Sequence, residues 1–79
     1  MKRITTAEQW QKKLAANVTM IHFMAELVPR YKADTMHDLW DSLGAMVQRY
    51  GDVFVADCIN QNKAEAELAL FRYGRQEVL

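Results

Sequence analysis

The sequence predicts an all-α domain, and three observations carry that expectation. Met36, Leu39, Trp40, Leu43, Met46, Val47 and Tyr50 recur at intervals of three and four residues. That is the rhythm of a helix with one wide apolar face. Only three glycines and one proline punctuate the 79 residues, so a few long elements are favoured over many short strands. Ala, Leu, Met, Glu, Gln and Lys are plentiful, and such side chains lose little freedom in a helix.

The first helix is expected near 6–27. Thr5-Thr6-Ala7-Glu8 fits a capping box, and Thr6 with Gln9 fits equally well. Its apolar stripe runs Trp10, Leu14, Val18, Ile21, Ala25 and Val28, joined later by Met20, Phe23, Met24 and Leu27. The C-terminal half of this helix should therefore be central. Pro29 disfavours helix at Val28, which sets the stop near Leu27.

The second helix is expected near 35–50. Thr35 with Asp38, or Asp34 alone, supplies its cap. Gly51 follows Tyr50 as a C-terminal stop. Asp52 can then cap a third helix near 53–73, in which Val55, Ile59, Ala66, Leu70 and Tyr73 share a face. A kink is expected around Asn60–Asn62, and Gly74 marks the end. Two alternatives stay open here: Val53-Phe54-Val55-Ala56 also fits a short strand, and Asn60-Gln61-Asn62 a turn.

Length and composition bound the rest. Apolar residues make up 51% and charged residues 25%, the balance of one small globular domain over 1–79. Chains of this size bury only about 60% of their unfolded surface, so their stability is marginal. Cys58 is alone, so no internal disulfide can help, and it reads as a small buried hydrophobe. A reactive thiol needs an electropositive neighbourhood, and Asp57 stands beside this one. The longest apolar stretch, Val18 to Val28, is about half the length of a membrane span. No signal peptide is apparent, and a cytoplasmic location is expected.

Charge totals zero but is uneven. Up to Lys32 the chain carries six basic residues against two acidic ones; from Ala33 onward it carries four against eight. Phosphate contact by Lys2, Arg3, Lys12, Lys13, Arg30 and Lys32 would make a weak nucleic-acid-binding regulator. The acidic start of the second helix opposes that reading, so nucleic acid is not the expected partner.

No constellation points to catalysis. Asp34, His37, Asp38 and Asp41 share a helical face, yet a metal shell needs ligands from more than one element. They read as a solvated acidic turn that suits the positive helix pole. His22 and Glu26, four apart, lack a nucleophile beside them and read as helix packing. The isolated glycines form no phosphate loop. The sequence therefore implies no enzyme, cofactor or metal.

Val18-Thr19-Met20-Ile21-His22-Phe23-Met24-Ala25-Glu26, followed by Pro29 and Lys32, resembles the strand that leads into the active site of thioredoxins. Val53 to Asp57 and Leu68 to Phe71 resemble that family's next strand and helix. The resemblance implies a truncated thioredoxin-like α/β fold as the alternative to the helical domain. Val28 and Tyr31 stand near the places of the redox cysteines, so the implied module is redox-dead.

A protein–protein interaction module is the leading expectation: an inhibitor, adaptor or accessory subunit without catalysis. Oligomerisation is the common support for a core this small. The sequence predicts a homodimer in which the second helix packs on its symmetry mate. Met36, Leu39, Trp40, Leu43, Val47 and Tyr50 are the expected interaction residues, with Trp40 central.

Overall fold

The computed structural model describes residues 7–78, with side chains to Tyr73. Among these residues the chain is all-α: α1 (Ala7–Leu14), α2 (Val18–Leu27), α3 (Ala33–Tyr50), α4 (Asp52–Gln61) and α5 (Lys63–Val78). A 3-10 turn, Val28–Arg30, follows α2. The thioredoxin-like alternative is overturned, because Val18–Glu26 lies in α2 and Val53–Ala56 in α4. The Thr5/Thr6 capping box lies outside the described residues.

Five helices replace the expected three, and two asparagines account for the difference. Asn17 adopts an extended backbone, and its Oδ1 accepts the Met20 N–H at 3.2 Å, starting α2 afresh. Asn62 does the same for α5, its Oδ1 accepting from Ala64 N–H at 3.1 Å and Glu65 N–H at 3.2 Å. Asparagine competes for backbone donors in this way, and so ends one helix while capping another. The break at Asn17 resets the helical phase. Beyond Leu14 the expected stripe keeps only half-buried Ile21, with Val18, Ala25 and Val28 exposed, whereas Met20, Phe23, Met24 and Leu27, expected as a second apolar side, are buried.

Other boundaries follow local chemistry. Pro29 sits in the first turn of the 3-10 segment, where its missing donor costs nothing. α3 begins at Ala33 rather than 35, with no side-chain cap. Asp34 accepts instead from the Thr35 N–H at 2.9 Å. Gly51 has φ +93°, a conformation that disfavours any side chain. Its N–H donates to the Val47 carbonyl at 2.8 Å, and its own carbonyl accepts from Val55 N–H at 3.2 Å. One glycine thus ends α3 and starts α4, and Asp52 lies in the first turn of α4 rather than capping it. α5 continues through Gly74 to Val78, so that glycine is not a stop.

The core gathers around α3, which packs against α1, α4 and α5. Met36, Leu39, Trp40 and Leu43 meet Met20, Phe23, Met24 and Leu27 of α2, Val55 and Ile59 of α4, and Ala66 and Leu70 of α5 in one cluster. α1 contributes Ala7, Trp10 and Leu14. The Trp10 indole lies so close to Gly44 that a Cβ there would overlap the ring.

Two surface pins tie α2 and the turn after it to α5. Arg30 donates to both Glu67 oxygens at 2.9 and 3.0 Å, and the Tyr31 hydroxyl donates to Glu67. The Tyr31 ring also packs on Phe71 at 5.3 Å. Lys63 pairs with Glu26 at 2.6 Å. Some of the uneven charge is thus satisfied within the fold.

Gly44→Ala should destabilise the fold by about 1–3 kcal/mol through overpacking against Trp10. Urea denaturation should show the midpoint fall, and an unchanged midpoint would contradict the close approach.

Candidate interaction groove

α4 is apolar on two sides. Val55 and Ile59 are buried at the floor of an open groove, while Phe54 and Cys58, one residue earlier in each turn, line it at the exposed surface. α3 forms a second wall that grades outward from buried Leu43 through half-buried Met46 to exposed Tyr50. α5 adds Glu65, Ala66 and Ala69, and buried Phe23 of α2 also lines the space. The groove encloses about 430 Å³, within the range of natural ligand and side-chain pockets.

Its rim is aromatic at one end and polar at the other. Tyr50 and Phe54 keep 50% and 57% of their surface, with ring centroids 5.7 Å apart. Val53 beside them is 70% exposed. Gln61, Asn62 and Glu65 line the opposite end, where α4 meets α5. The Asn62 oxygen is already engaged as a cap. Glu65 is the one charged residue lining the groove among those described.

The structure separates the six residues expected to form an interface. Met36, Leu39, Trp40 and Leu43 are buried within the single chain. Trp40, at 7% exposure, therefore offers no surface as a dimer centre. Val47 lines a second depression with Lys13, Asn17, Gly51 and Asp52. Of the six, Tyr50 alone stands open on the apolar groove.

Cys58 is exposed rather than buried, because the inward positions of α4 belong to Val55 and Ile59. Phe54, Cys58 and Glu65 line the groove and were not singled out from sequence as candidate surface residues. The available signal was the run Val53-Phe54-Val55-Ala56, which has more apolar residues than one helix face can bury.

The other constellations do not converge. His22 is exposed, and Glu26 pairs with Lys63 rather than with it. Arg30 is held by Glu67, and Lys13 lies 5.6 Å from the Trp10 ring. Among the described residues no group of His, Cys, Asp and Glu is placed to hold a metal ion. No helix of the described chain is long and apolar enough to cross a membrane. In the acidic turn of α3, Asp41 Oδ1 is buried without a hydrogen-bond partner. Desolvation raises its carboxyl above the ordinary value of 3.8, and Asp38 raises it further while His37 opposes them.

No protein-family model matches this chain, and neither does any curated protein or solved structure.

The raised Asp41 carboxyl carries a pH signature. Folding holds its proton more tightly, so stability should fall as pH rises from the unfolded value of 3.8 through the higher folded value. Asp41→Asn should therefore raise the melting temperature at pH 7, and the gain should vanish below that window. A gain of equal size at low pH would show that charge is not its cause.

Proposed function

We propose that this chain is a small non-enzymatic protein–protein interaction module, an inhibitor, adaptor or accessory subunit, whose docking face is the groove between α3, α4 and α5. The observation that carries this reading is the apolar groove edged by half-exposed Tyr50 and Phe54. Aromatic side chains are enriched at the centres of interfaces, and methionine such as Met46 adapts to irregular partners. An amphipathic helix laid into such a groove would bury its apolar face at every third or fourth residue.

The groove chemistry favours binding over catalysis. No imidazole lines it, and the carboxylate of Glu65 is the one charged group among the described lining residues. A cytoplasmic setting belongs to the same reading, because an exposed lone thiol persists best in a reducing compartment.

Phe54→Glu tests this. Phe54 is exposed, so the variant should keep its helical circular dichroism and melting temperature. Tagged wild-type protein should retain a protein partner, a second copy included, with micromolar or tighter affinity by calorimetry. The variant should lose that affinity at least about tenfold, or about 1.4 kcal/mol. Equal retention by both proteins would rule out the groove as the docking face.

A further inference from the structure

We draw no further inference here: the strongest candidate, the apolar groove between α3, α4 and α5 at exposed Tyr50, Phe54 and Cys58, belongs to the face already described, and nothing in the structure shows what covers it.

Discussion

The contact between Trp10 and Gly44 governs how the rest of the molecule is arranged. The described part of α1 has eight residues, too few to be helical alone in water. Its helix persists because Ala7, Trp10 and Leu14 are buried. The indole needs room at the α3 backbone, and Gly44 supplies it by having no Cβ. With α1 seated there, one flank of α3 is closed. α4 and α5 must pack along what remains, and the groove opens where Met46 and Tyr50 of α3 pass beyond their reach.

From Met36 to Leu43, α3 is therefore a hub whose apolar side chains are covered within the chain. Its apolar rhythm is plain in the sequence, and so are the glycine that ends it and the proline that ends α2. Periodicity shows which face of a helix must be covered but not what covers it. Met36, Leu39 and Trp40 look the same whether a neighbouring helix or a second molecule lies over them. Their cover comes from α1, α4 and α5, and that depends on tertiary packing that local spacing does not encode.

The helix breaks were less legible, for a related reason. Ala15 and Ala16 favour continuation, and the decision falls to one Asn17 oxygen that takes a backbone donor. That interaction is worth about 1 kcal/mol, small enough for the summed propensity around it to hide. Its consequence is large, because it turns the stripe of α2 to a new phase and exposes Val18. Asn62 was easier to anticipate, since it lies in a run of three polar residues. Cys58 was misplaced because α4 is apolar over two adjacent faces. With little contrast between its faces, spacing alone assigns the thiol to neither.

A helix apolar on two sides carries an energetic consequence. Its inner residues hold the fold, and its outer residues leave aromatic surface in water. Tyr50, Val53 and Phe54 together expose roughly 300 Å² for side chains of their size. Covering that patch on two partners would yield about 15 kcal/mol gross, at about 25 cal/mol per Å². Association costs about 4–15 kcal/mol in lost freedom, so the exposed patch alone gives weak binding at best. Useful affinity must come from the groove walls, which gain contacts only when a side chain fills the space between them. Docking on the proposed face would thus be decided by fit rather than by area.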